Sequence, residues 1–201
     1  MTRLTLHSVT LAVGLTAAAA FLPAPANADE PQPDILGFVE WIVIQDTGLR
    51  MKARLDTGAL TSSMHAINVE AFDRDGEEWV RFDVPLNDHH DVEGVVSGSD
   101  IDPDQVAVTF ERPVERKVDI RRKGADPQTR YVVKMEFCID GRIQEEQFSL
   151  TDRHNFMYPA LLGRRYMAED NVAVDSSGSF LARERCEYEG LKDLVAEHAA
   201  P

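Results

Sequence analysis

From Leu49 to Leu55 apolar and basic side chains alternate without a break: Leu49, Met51, Ala53 and Leu55 against Arg50, Lys52 and Arg54. A period of two fits a strand with one buried face and excludes an amphipathic helix there. The same signal recurs along the chain. Val80, Phe82, Val84 and Leu86 alternate with Arg81, Asp83 and Pro85, and Tyr131, Val133, Met135, Phe137 and Ile139 share one face of a further strand. Val106 to Phe110 and the long apolar run from Ile35 to Ile44 add more strand. Turn signals separate them: "DRDGEE" at Asp73 to Glu78, and Asp140-Gly141, a strong two-residue hairpin pair. Short strands punctuated in this way predict an all-β barrel or sandwich. The polar stretch from Asn87 to Asp104 reads as a loop. Helical spacing appears in the tail, at Leu191, Leu194, Val195 and His198, and predicts a C-terminal helix from about residue 182.

The first 28 residues read as an export signal. Arg3 precedes the uncharged apolar stretch Val9 to Leu22, and "ANA" at Ala26 to Ala28 offers small residues for cleavage. The stretch is shorter than the roughly 20 residues a membrane-spanning helix needs. An uncleaved anchor is the alternative; after cleavage no stable membrane span is expected. Residues 29–34 read as a loose Pro-rich leader, and residues 35–201 as one domain. Removing 28 of 201 residues leaves 173, enough for a single core. That remainder carries 20 basic and 35 acidic residues, a net charge of −15. Such a surface repels nucleic acid and anionic lipid. The expected location is periplasmic or secreted. In an oxidising compartment Cys138 and Cys186 could pair; the alternative is two thiols too far apart to meet.

The alternation from Leu49 to Leu55 ends on "DTG", Asp56-Thr57-Gly58, followed by Ala59, Leu60 and a hydroxyl-rich stretch. At average residue usage an Asp-Thr-Gly arises by chance in roughly one chain in twenty to thirty of this length, so the tripeptide alone decides nothing. About 100 residues later comes Leu161-Leu162-Gly163-Arg164, which opens onto a short helical stretch. An apolar-apolar-Gly-Arg segment after an Asp-Thr-Gly strand resembles the retropepsin-like aspartic proteases. Within them, the chain is similar to a bacterial family labelled ATP-dependent zinc protease. The matching pieces are "EWI" from Glu40, "LDTGALTSSMHA" from Leu55, "DGEEWVRFDV" from Asp75, "FSLTDRHNFMYPALLGRR" from Phe148 and "VD" at Val174.

The resemblance implies a closed barrel with one or two short helices and an aspartic peptidase activity. Asp56 would be the catalytic carboxylate. Two facing carboxylates sharing one proton can activate a water and protonate the scissile carbonyl. There is one Asp-Thr-Gly here, and "DSSG" at Asp175 is not a second copy, so the implied enzyme is a homodimer with Asp56 from each subunit. Thr57 would bond across the dimer, Gly58 and Ala59 would complete the loop, and Leu162, Gly163 and Arg164 would brace it. His65, close to the motif, either lines the cleft or serves as a structural hydrogen-bonder.

Two departures from the pattern bear on activity. Leu60 stands where retropepsins often carry an acid to pair with the Gly-Arg arginine. Residues 119–130, "DIRRKGADPQTR", stand where a flap-like segment is expected. The family's label finds no support in the residues. There is no phosphate-binding Gly-x-x-x-x-Gly-Lys loop and no His-Glu-x-x-His. Neither metal nor cofactor is expected. The alternatives kept open are a catalytically inactive module binding peptide or a cell-envelope component, and a metal-dependent hydrolase built on the His89 and His90 region.

Overall fold

A computed structural model describes residues 32–122 and 125–199. The expected signal segment, and all of the leader before Gln32, lie outside the described residues. Among the described residues twelve strands dominate: β1 Asp34–Gly37, β2 Val39–Ile44, β3 Arg50–Asp56, β4 Ser62–His65, β5 Ile67–Arg74, β6 Glu77–Pro85, β7 Ala107–Pro113, β8 Arg116–Arg122, β9 Ala125–Ile139, β10 Arg142–Thr151, β11 Ala160–Gly163 and β12 Val172–Asp175. The helices are α1 Val92–Val96, α2 Arg164–Glu169 and α3 Leu191–His198. The fold is all-β, as the alternation requires.

Six strands close into a barrel in the order β10, β4, β11, β3, β2, β9, with β9 pairing back onto β10. Strand β8 pairs with β9 on the outside of this ring. A separate antiparallel sheet, β5-β6-β7, stands beside it, and β1 pairs with β12 in parallel. Closure leaves the ring without free edges. Inward-facing residues of the alternating strands form the core: Met51, Ala53 and Leu55 of β3, and Val133, Met135, Phe137 and Ile139 of β9 are all buried. Phe137 sits at the centre, with ring centroids 5.8 Å from Phe148 and 5.7 Å from Tyr166 of α2.

The hairpin at Asp140-Gly141 joins β9 to β10 with both residues at positive φ, 49° and 70°. That is the geometry of a two-residue turn whose twist matches the strands. The apolar run from Ile35 is two strands, broken at Phe38, because β1 follows β12 while β2 follows β3. The stretch from Asn87 to Asp104 is not all loop. Asp91 caps α1 by accepting from the Gly94 amide, and Asp102 caps a one-turn 3-10 helix, Pro103–Gln105.

The tail helix begins at Leu191, later than the expected 182. Residues 176–190 form an extended strap across the barrel. The amides of Leu181 and Ala182 donate to the Glu40 carboxylate, and those of Arg183 and Glu184 donate to Asp140 Oδ1. Amides held by carboxylates cannot enter helical bonds. A disulfide between Cys138, at the end of β9, and Cys186 fixes the strap, with the Cα atoms 5.9 Å apart.

Candidate active site

Strand β3 delivers Asp56 to a short loop, and β11 runs parallel beside it. Gly163 stands opposite Asp56 and Leu162 opposite Leu55. On its other side β11 is antiparallel to β4, with Ala160 opposite Met64 and Leu161 opposite Ser63. The chain from β3 therefore leaves, turns through the Asp-Thr-Gly loop, returns as β4, and is later split by β11 inserted between them. Gly163 has a steric reason to be glycine. A Cβ there would lie 2.6 Å from the Thr61 carbonyl carbon and 2.8 Å from its nitrogen and oxygen. The Gly163 amide donates to Ser62 Oγ at 3.0 Å, which gives the buried Ser62 hydroxyl a structural role.

The loop is fixed by its own backbone and by α2. The Gly58 amide donates to Asp56 Oδ1 at 2.9 Å, and the Ala59 amide to the Asp56 carbonyl at 3.1 Å. The first amides of α2 have no helical partners; those of Arg164 and Arg165 donate to the carbonyls of Ala59 and Leu60. The Arg164 guanidinium reaches the Gly58 carbonyl at 3.4 Å, so a backbone oxygen takes the place of the missing acid at Leu60. The Asp56 carboxylate is one-third exposed and lies 3.9 Å from Arg54 Nε. Thr57 and Leu60 face solvent, Leu60 at 52% exposure. The surface of the loop thus presents a carboxylate, a hydroxyl and an apolar side chain together.

His65 does not line a cleft. Its ring is buried, with Nδ1 accepting from the Arg153 amide at 2.8 Å. Nε2 must then carry the proton, and it donates to Asp88 Oδ2 at 2.7 Å. Both nitrogens are occupied by protein, which makes His65 a structural hydrogen-bonder. His90 is similarly engaged with the carbonyl oxygens of Leu86 and Arg50. The His89 ring meets His65 edge-on at 5.3 Å, and its Nε2 is buried with no partner. Burial, then the neighbouring His65, depress the His89 pKa to about 4. Among the described residues no group of three His, Cys, Asp or Glu is arranged to hold a metal ion. The geometry gives the metal-dependent alternative no foothold at His89 and His90.

Two residues that sequence reading passed over hold this region together. Glu40, only 1% exposed, accepts from the amides of Gly37, Leu181 and Ala182. Arg153, buried beneath Phe156, donates to Ser63 Oγ and to the Tyr158 carbonyl. A charged residue inside a matching segment was their only sequence signal; their partners are distant in the chain.

A family model described as RimB-like, "Retropepsin-like aspartic endopeptidase RimB", matches residues 35–185. The chain belongs to this family. The RimB-like match contains the whole Asp56 loop and its β11 brace. Among curated proteins, the chain is 32% identical over 172 residues to a "Probable alpha-L-glutamate ligase" of Desulfotalea psychrophila, covering 79% of this chain. It is 31% identical over 157 residues to a protein of the same name from Shewanella pealeana, covering 77% of this chain. The chain spans about one third of the length of these relatives, 34% and 31% respectively. Among solved structures, Lpg0085 of Legionella pneumophila, of unknown function, superimposes with a TM-score of 0.59 at 29% identity, over 75% of this chain and 98% of that one. The RimB-like assignment and the barrel agree on a retropepsin-like fold.

Proposed function

We propose that the protein is an exported aspartic endopeptidase, active as a homodimer in which Asp56 of each subunit shares one water and one proton. The observation that carries this reading is the pairing of Asp56 with Gly163 in a braced loop whose carboxylate stays accessible. One chain supplies one such carboxylate, and the chemistry requires two. The exposed Thr57 and Leu60 beside it are suited to contact a second copy across a two-fold axis. The ionised member of the pair takes a proton from water as the oxygen attacks the peptide carbonyl. The protonated member donates to the carbonyl oxygen, giving a tetrahedral gem-diol. It collapses as the carboxyl that took the water proton passes it to the departing amine nitrogen and the other carboxylate recovers a proton from a diol hydroxyl. The paired strands β8 and β9 contain the described residues 119–122 and 125–130 of the flap-like segment, and are proposed to close over the peptide.

Replacing Asp56 by Asn tests the reading. Cleavage of a mixed peptide library should vanish while circular dichroism stays unchanged, and a chelator should have no effect on the unmodified protein. The pH profile should peak on the mildly acidic side; a maximum above about 8 would contradict a shared-proton pair. The replacement of an acid by Leu60 favours a second reading, a non-catalytic module that binds an extended peptide in the same cleft. It predicts binding without cleavage in the unmodified protein.

A further inference from the structure

The strap of residues 176–190 does more than cover β2. Between it and the outer face of β2 and β3 lies a cavity of 310 Å³, lined by Trp41, Val43, Arg50, Phe180, Glu184 and Tyr188 among others. Small-molecule sites start at about this size. Trp41 and Phe180 stack at 5.4 Å and form an apolar wall. The Arg50 guanidinium is held between two rings, 4.0 Å from the Trp41 centroid and 4.5 Å from that of Tyr188.

Both rings pack against the guanidinium carbon and limit its freedom. Its N–H groups match a carboxylate in geometry and charge. Arg50 makes no ion pair with any described residue, in a chain with 35 acidic and 21 basic residues. Two of the acids that share the cavity are engaged elsewhere: Glu40 accepts three backbone amides and Asp140 accepts two. Arg185 adds a second cation to a lining that also holds Glu40, Asp140 and Glu184. Three acids against two arginines leave room for one further negative charge at the arginines but disfavour a doubly charged anion such as phosphate. A singly charged carboxylate with an apolar body meets both walls.

We propose that this cavity is a binding site for the carboxylate of an apolar amino acid or of a peptide ending in one. Arg50 is the carboxylate anchor, and Trp41 and Phe180 hold the side chain. Arg50 and Asp56 lie at opposite ends of β3, roughly 20 Å apart at the usual rise per residue. The site is therefore separate from the proposed catalytic loop and stands whether or not that loop cleaves peptides. It exists because the disulfide and the Glu40 and Asp140 carboxylates hold the strap in place. Cys186 and Tyr188 fall beyond the residues matched to the family.

The experiment is calorimetric titration of the full chain with acetyl-leucyl-leucine, with its C-terminal amide, and with free leucine. Trp41 fluorescence in a Trp79→Phe background provides a second readout. The free carboxylate should bind and its amide at least about tenfold more weakly, the worth of a charge-assisted hydrogen-bonded pair. Arg50→Gln should cause a similar loss with the thermal unfolding midpoint nearly unchanged. If Arg50→Gln proves unfolded, Phe180→Ala serves instead and should also weaken binding. Tighter binding of the dipeptide assigns the site to peptide ends, and tighter binding of leucine to the free amino acid. Equal affinity for acid and amide, undiminished binding by Arg50→Gln, or no binding of any probe at millimolar concentration would overturn the proposal.

Discussion

At Gly163 the smallest possible side chain already collides with the backbone of Thr61. Backbone cannot yield as a flexible side chain can, so Gly163→Ala should destabilise the protein by about 1–3 kcal/mol. Urea denaturation checks this, and peptide cleavage should fall along with it, because the same shift displaces the Asp56 loop. His89 acts through protons. Its folded pKa of about 4 lies below the ordinary value of 6.5, so between these limits the unfolded chain binds the extra proton. Stability should be unaffected by this residue above about pH 6.5 and should decline as pH falls toward 4. His65, Asp88, His90 and Arg153 are the charged or titrating groups that face it. Replacing His89 by Phe should flatten the fall in unfolding midpoint across that window; an unchanged slope would show that other groups set it.

The strap is the element that sequence patterning described least well. Its helical residues begin only at Leu191, since the preceding amides are captured by Glu40 and Asp140. The disulfide closes a loop of 48 residues from β9 to the strap. In the chain-entropy model, replacing both cysteines by Ala should cost about 3–4 kcal/mol. Thermal unfolding of this double variant, against the parent with and without reductant, measures it; the reduced parent should approach the variant. Strands with strict alternation, β3 and β9, were legible because one buried face leaves a period-two imprint. The break between β1 and β2 was not. Both halves are apolar, and only their different partners, β12 and β3, separate them.

For the whole molecule, the closed ring explains how Asp56 and Gly163, more than 100 residues apart, become neighbours. The loop they build faces outward and holds a single Asp-Thr-Gly carboxylate. If the dimer forms, light scattering on the protein should show a mass that doubles with concentration, and Asp56→Asn should leave that mass unchanged. Leu60→Asp should shift the equilibrium toward monomer, since it would place like charges near the two-fold axis. A strictly monomeric protein at all concentrations would leave Asp56 without its partner.

By itself the sequence determined the class of fold and the strand that carries Asp56. Alternation of Met51, Ala53 and Leu55 with Arg50, Lys52 and Arg54 makes a strand, and the strand must end at Asp56. Local period and turn chemistry act over a few residues, so they can be read along the chain. Tertiary structure decided the rest: the burial of His65 between Asp88 and Arg153, the two strap amides on Glu40, the strap and the cavity beneath it. Each depends on contacts between residues 23 to 142 positions apart. Only ring closure and the crossing of the strap bring them within reach of one another.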